Sequence, residues 1–312
     1  MTAHRIPLNY FAMSFGLAGL AGTWVTACRE GHAPAAVGDA VLALAALVWL
    51  VTVVLYLRYA LSERGRLVAD LTDGIAGPFM SLAVITPMPL AAQGVAPHAP
   101  TAGKILVDVF LVLTVVLGGW FTGQWIYGPL DIDQLHPGYF LPTTAGGLIA
   151  SGSAAAVGQR RLAELMLGLG MVCWLILGSM ILARLLFRPP LPAPLTPTLA
   201  IEVAPAAVAS LAYFPLNGDR IDIFAAALAG YGLLMVLAQL RLLPLFLRLK
   251  FTPGTWAFTF SWASVGTATL HWIDIGRPAG HLVWTALVLA AVTALVGGIA
   301  VRTVVALVRR QL

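Results

Sequence analysis

The chain has 312 residues, 60% of them hydrophobic and only 10% charged, with a mean hydropathy of +0.90, so a water-soluble fold would have nothing with which to cover its surface. The net charge of +5 and pI near 9.6 do not point to nucleic acid. No basic run exceeds two residues, as at Arg160-Arg161 and Arg309-Arg310, which fits loop charge that orients membrane spans.

A hydrocarbon layer about 30 Å thick takes roughly 20 apolar residues per helix. The sequence predicts an all-α membrane protein forming one domain over 1–312, with ten spans at about 7–28, 39–61, 77–96, 104–127, 139–158, 162–187, 197–216, 220–243, 255–274 and 281–306. The third and seventh are the weakest on hydropathy, being short and proline-bearing. The first ends in Val25-Thr26-Ala27-Cys28, which resembles a lipoprotein cleavage site. One Arg precedes it, and Asn9, Ser14 and three glycines interrupt the segment, so it reads as an uncleaved span. Cys28 and Cys173 lie far apart in sequence and imply neither a disulfide framework nor a metal site.

The spans alternate in character. The fifth, YFLPTTAGGLIASGSAAAVG, has four Leu, Ile or Val in 20 residues, and the sixth, LAELMLGLGMVCWLILGSMILARLLF, has twelve in 26. The first and second, and the ninth and tenth, differ in the same way. Lipid-facing helices want Leu and Val, whereas small residues let backbones approach or leave an opening. Odd spans are therefore expected inside and even spans outside. The odd spans begin near residues 7, 77, 139, 197 and 255, giving five hairpins of about 60–70 residues. Five parallel inner helices about one axis would leave a hole; composition alone fits a compact bundle equally well.

Orientation follows from basic residues. With the N-terminus inside, Arg5, Arg58, Arg64, Arg66, Arg184, Arg188, Arg241, Arg248, Lys250, Arg302, Arg309 and Arg310 fall on the cytoplasmic side. Arg29, Lys104, Arg160, Arg161, Arg220 and Arg277 fall opposite, and twelve against six places both termini inside. No extramembrane segment is long enough to carry chemistry.

The odd spans hold no Lys or Arg, and apart from Asp274 at the last residue of the ninth their only carboxylate is Glu202. Such a residue is either functional, as a proton-coupling or gating group, or simply hydrated close to the membrane surface. Its position a few residues into the span favours the second. Asp108, Glu164, Arg184, Asp222 and Arg241, near the ends of outer spans, are explained by snorkelling or pairing. The histidines (His4, His32, His98, His136, His271, His281) have no metal-binding spacing. Phosphate-binding and nucleophile motifs are absent, so neither an ATP-driven pump nor a hydrolase is indicated. No catalytic residue, metal or cofactor is expected.

Prolines recur in the odd spans at Pro87, Pro89, Pro142, Pro205 and Pro253. Each bends its helix and frees a carbonyl, which is tolerated at membrane depth beside protein or a water-filled cavity. The ninth span, containing 255-TWAFTFSWASVG-266, divides into two faces at 3.6 residues per turn. One holds Phe260, Ser264, Thr267 and His271, flanked by Ala257, Ala263 and Gly266. The other holds Phe258, Trp262, Val265, Thr269 and Trp272. Phe260 is the single large group on the small, polar face, about 15 Å beyond Lys250 and thus near mid-membrane. Both a plug in a narrow axis and an ordinary buried aromatic fit that position.

Four segments, 7-PLNYFAMSFGLAGLAGTW-24, 136-HPGYFLPTTAGG-147, 197-PTLAIEVAPAAVASLAY-213 and 256-WAFTF-260, together resemble the voltage-dependent anion channel family, in order and over nearly the whole chain. Its members include plant slow-type anion channels, bacterial tellurite-resistance proteins of the TehA type, and fungal dicarboxylate and sulfite transporters. The resemblance implies five hairpins around a quasi-fivefold pore, a phenylalanine gate on the ninth helix at Phe260, and a homotrimer in a lipid bilayer, for bacterial members the inner membrane. The family's first helix often carries F-G-x-P, where this chain has Phe11-Ala12-Met13-Ser14. Ala12 is then expected to narrow the pore, and Ser14 to leave the helix straighter.

The expected function is a gated channel for small monovalent anions such as nitrate and halides. A secondary transporter of dicarboxylate, tellurite or sulfite is the alternative, and the lack of Arg or Lys in the odd spans counts against a dianion site. The residues expected to line the pore are Phe11, Ala12, Phe15, Gly16, Pro87, Thr143, Gly147, Ser151, Glu202, Pro205, Ala257, Ser264 and Thr267, with Phe260 as the gate.

Overall fold

The computed structural model describes residues 6–309; His4, Arg5 and Arg310 lie outside them. The described residues form helices and turns, with no strand. In chain order the α-helices are α1 (Phe11–Arg29), α2 (Ala35–Ala60), α3 (Arg66–Thr72), α4 (Leu82–Ile85), α5 (Pro87–Leu90), α6 (Pro100–Tyr127), α7 (Gly146–Ala156), α8 (Arg160–Phe187), α9 (Ala204–Asn217), α10 (Ile223–Phe246), α11 (Ala257–Gly276) and α12 (His281–Val308).

Eight segments are long and apolar enough to cross a membrane. The two other expected spans, the fifth and ninth, are helical but are not among the eight. Their Gly, Ser, Thr and Ala content, and the His271 and Asp274 near the end of α11, lower their hydropathy. Burial separates the eight into two classes: 61% of the most apolar stretch is buried in Leu8–Arg29 and in Gly77–Val95 and 72% in Thr196–Asn217, against 17–28% in α2, α6, α8, α10 and α12. The second class turns Leu, Ile and Val outward, as at Leu47, Val112, Leu175, Leu233 and Val304, where lipid is their natural solvent.

The buried segments share a device at their first turns. Short 3₁₀ segments open each one, at Leu8–Tyr10, Gly77–Ser81, Pro137–Phe140, Thr196–Val203 and Pro253–Trp256. Pro7 precedes the first, and Pro78, Pro137, Pro197 and Pro253 stand in the first turn of the others. Proline suits that position because its fixed φ is already helical and its missing N–H would have no intrahelical partner there. Farther in, proline breaks the regular ladder. Pro87 opens α5 directly after the break at Thr86 that ends α4, and Pro142 lies in a π turn at Leu141–Ala145.

Helix α1 packs against α11, α11 against α9, α9 against α7, α7 against α5, and α4 and α5 return to α1. The outward helices pack behind, as α2 does on α1 and α8 on α7. The α7–α8 approach is backbone to backbone: a Cβ added to Gly147 would lie 2.6 Å from the amide nitrogen of Gly170. Only glycine fits there. Gly170→Val is therefore expected to destabilise the protein by at least about 1–3 kcal/mol, while Gly168→Ala, with open space around it, leaves thermal unfolding in detergent unchanged or slightly raised.

His136 anchors the start of the fifth segment. It is fully buried, its Nδ1 accepts the Gly138 N–H at 3.1 Å, and its Nε2 lies 3.0 Å from the Ile75 carbonyl. That pairing suits a neutral ring with Nε2 donating. Burial holds the imidazole well below its usual range, at about 4. The unfolded chain takes up this proton near pH 6.5 and the folded chain only near 4, so stability present above 6.5 is lost as pH falls through that window. The expected loss is of order 3 kcal/mol. His136→Asn should flatten the pH dependence of unfolding measured between pH 7 and 4.

Candidate functional site

Three cavities follow one another along the axis enclosed by the buried segments. The first, about 190 Å³, is lined by the starting turns of four of them, including Pro7, Leu8, Asn9, Ala76, Thr198, Pro253 and Gly254. The second is a chamber of about 50 Å³ whose wall is almost wholly apolar and carries Phe15, Phe79, Phe140, Trp256 and Phe260. It is large enough for water but has too few polar groups to hold it. The third, about 520 Å³, is lined by the later turns of all five segments.

Neighbouring cavities share walls. Ala12, Phe79 and Ala257 belong to both the first cavity and the chamber. Phe260, Leu148 and Val208 belong to both the chamber and the third cavity. Phe260 thus stands at the boundary between a dry chamber and a wide vestibule. Its ring lies on Phe15, centroids 3.7 Å apart and planes 15° apart. The remaining residues of its face, Ser264, Thr267 and His271, all line the vestibule. Phe258 points elsewhere and meets Phe246 of α10 edge to face at 4.9 Å.

The other residues singled out from sequence divide into two groups. Ala12, Phe15, Pro205 and Ala257 line the chamber, and Ser264 and Thr267 the vestibule. Phe11, Gly16, Pro87, Thr143, Gly147, Ser151 and Glu202 line none of the three cavities. Phe11 lies 5.8 Å from the ring of Tyr56, Gly16 faces Thr259 and Trp256, Gly147 faces Gly170, and the Thr143 methyl faces Gly118. The Ser151 hydroxyl donates to the Ala163 carbonyl of α8 at 2.8 Å, and Pro87 is buried at the start of α5.

Glu202 differs from the hydrated position expected. It is 9% exposed, and its Oε1 has no hydrogen-bond partner. It lies in the eight-residue 3₁₀ stretch Thr196–Val203, which packs against α10 and α11. Arg184 is likewise buried rather than snorkelling, donating to the carbonyls of Pro189 at 2.8 Å and Asp133 at 3.2 Å.

Sequence inspection did not foresee the rim of the vestibule. His271 stands between two carboxylates, Nε2 3.0 Å from Asp219 and Nδ1 3.7 Å from Glu30. His32 lies 3.9 Å from Asp274, which also pairs with Arg277 at 3.5 Å. These residues come from the end of α1, the turn after α9 and the end of α11, so no local motif could reveal them. Phe79, Phe140 and Trp256 were missed for a related reason: they belong to the proline-started first turns rather than to regular helix.

Residues 5–304 match the family described as SLAC1, voltage-dependent anion channel. The chain belongs to that family. It is also 29% identical over 269 residues to the tellurite resistance protein TehA homolog of Haemophilus influenzae, a match covering 84% of this chain and 80% of that one. The family's function is channel or transporter rather than enzyme, and membership identifies an integral membrane protein that acts on anions. Within this SLAC1 family member the two phenylalanines of 256-WAFTF-260 have different surroundings, and their substitutions are expected to differ. Phe258→Ala removes the contact with Phe246 and should lower stability by about 1–3 kcal/mol, a partly buried phenylalanine costing less than a fully buried one. Anion flux through the folded fraction should be unchanged, as thermal unfolding and flux measured on the same preparation will check.

Proposed function

We propose that the protein is a gated channel that passes small monovalent anions such as nitrate and halides down their gradient, with Phe260 as the closing ring. In this reading the chain crosses the membrane ten times as five hairpins in quasi-fivefold array. The inner helices are the five proline-started segments, and the pore runs through the three cavities. Both termini are cytoplasmic, by the twelve-to-six division of basic residues. The protein sits in a bacterial inner membrane as a homotrimer with one pore per subunit.

The observation that carries the gate is the position of Phe260 in the common wall of chamber and vestibule. A narrow apolar constriction closes a pore by excluding water, and an ion without its water does not pass. Selectivity follows from the chamber's chemistry. No Lys or Arg lines it, so an entering anion must give up hydration without a counter-charge. Weakly hydrated monovalent ions lose least, and the Born cost rises with the square of the charge, which penalises dianions. The name of the Haemophilus relative brings tellurite into consideration, and export of tellurite, sulfite or dicarboxylate is the alternative.

Phe260→Ala is expected to raise anion current roughly tenfold or more. Voltage-clamp recording with nitrate, chloride, malate and tellurite gives the reversal potentials, which should follow nitrate and chloride. An unchanged current from folded Phe260→Ala protein removes Phe260 as the gate. Flux that occurs only against a counter-substrate, or that favours malate or tellurite, replaces the channel with the transporter.

A further inference from the structure

We infer that Phe15 is the positioning residue for the closing ring, so that closure is set jointly by α1 and α11; this rests on the reading of Phe260 as the gate. The two rings lie almost parallel with centroids only 3.7 Å apart. Isolated aromatic pairs avoid that arrangement. The negative faces of two rings repel, and offset or edge-to-face pairs with centroids at about 4.5–7 Å are preferred. Something other than ring attraction must therefore hold them face to face.

The seam between the helices supplies it. A Cβ on Gly16 would overlap the Thr259 hydroxyl, and a Cβ on Gly19 would lie 3.0 Å from Cδ2 of Phe260 and 3.1 Å from Cβ of Ala263. One turn farther along, the hydroxyls of Thr23 and Thr267 bond at 2.9 Å, and Thr23 also donates to the Ala263 carbonyl at 3.3 Å. Two glycines and a threonine pair thus bring the backbones together on one side of the rings. Phe15 itself is 5% exposed and lines the chamber, leaving Phe260 one face against a ring and one edge against Gly19.

Two consequences follow. Phe15 blocks the direction in which Phe260 would otherwise turn toward α1, keeping it in the wall between chamber and vestibule. The face-to-face geometry also leaves the pair less than optimally stacked, so a short slide toward an offset arrangement is favoured by the rings themselves. The closed gate is held by the helix seam and opens along a direction that the aromatic pair prefers.

A double-substitution series tests this. Phe15→Leu keeps an apolar side chain but removes the ring, and should raise basal anion current roughly 2- to 10-fold while Phe260 is present. In a Phe260→Ala background the same substitution should change current little, because no ring remains to position. Phe15→Tyr restores a ring face and should return the current to the wild-type level. A purely structural role for Phe15 would instead lower expression and current in both backgrounds, with no rescue specific to a ring. If Phe260→Ala raises current but Phe15→Leu multiplies it equally in both backgrounds, Phe15 does not position the gate and the gate itself stands. If Phe260→Ala leaves current unchanged, both fall.

Discussion

Gly16 and Gly19 let α1 come so close to α11 that Phe15 and Phe260 have to share the space between them. Much of the molecule's middle is arranged around that approach. The Thr23–Thr267 bond fixes its register, and α9, packed on the other side of α11, contributes Val208 to the wall in which Phe260 stands. In hydrocarbon there is no hydrophobic force to press helices together, so small residues and interhelical hydroxyl contacts take over the work of association. The same rule explains Gly147 against Gly170 and Ser151 against Ala163, where α7 is fastened to its outer neighbour.

The division into buried and lipid-facing helices was legible in the sequence because it is a bulk property of each segment. Leu- and Val-rich helices differ from Gly-, Ala- and Ser-rich ones over 20 residues, and no single position needs to be right. The polar face of α11 was legible too, since Phe260, Ser264, Thr267 and His271 recur with the helical period and do face one cavity. Family membership was likewise readable from the order of short motifs that are individually unspecific.

Which small residues face a cavity was not legible. On a helix surrounded by others, a glycine or serine serves equally well against a neighbouring backbone or beside an opening, and its own sequence neighbourhood is the same in both cases. Gly16, Thr143, Gly147 and Ser151 turned out to pack between helices, whereas Ala12, Ala257 and Ser264 line cavities. The burial of Glu202 was hidden for a different reason. It depends on the packing of the Thr196–Val203 stretch against α10 and α11, which residue counting along one span does not reveal. The prolines posed a similar difficulty: Pro87, Pro142 and Pro205 stood out in apolar runs, yet the recurring element is the set that starts each buried segment, at Pro7, Pro78, Pro137, Pro197 and Pro253.

Those starts have an electrostatic consequence. The first turns of four buried segments surround one cavity and the later turns of all five surround the vestibule, so the peptide dipoles of the assembly point the same way. Each helix end carries the equivalent of about half a charge, positive at the start and negative at the finish. The cavity ringed by proline turns, which also has Asp70 in its wall, faces the positive ends of the dipoles, and the vestibule, where Glu30, Asp219 and Asp274 stand beside Arg29 and His271, faces the negative ones. The two ends of the row of cavities are therefore electrostatically unlike, and the dipoles impose a slope of potential between them.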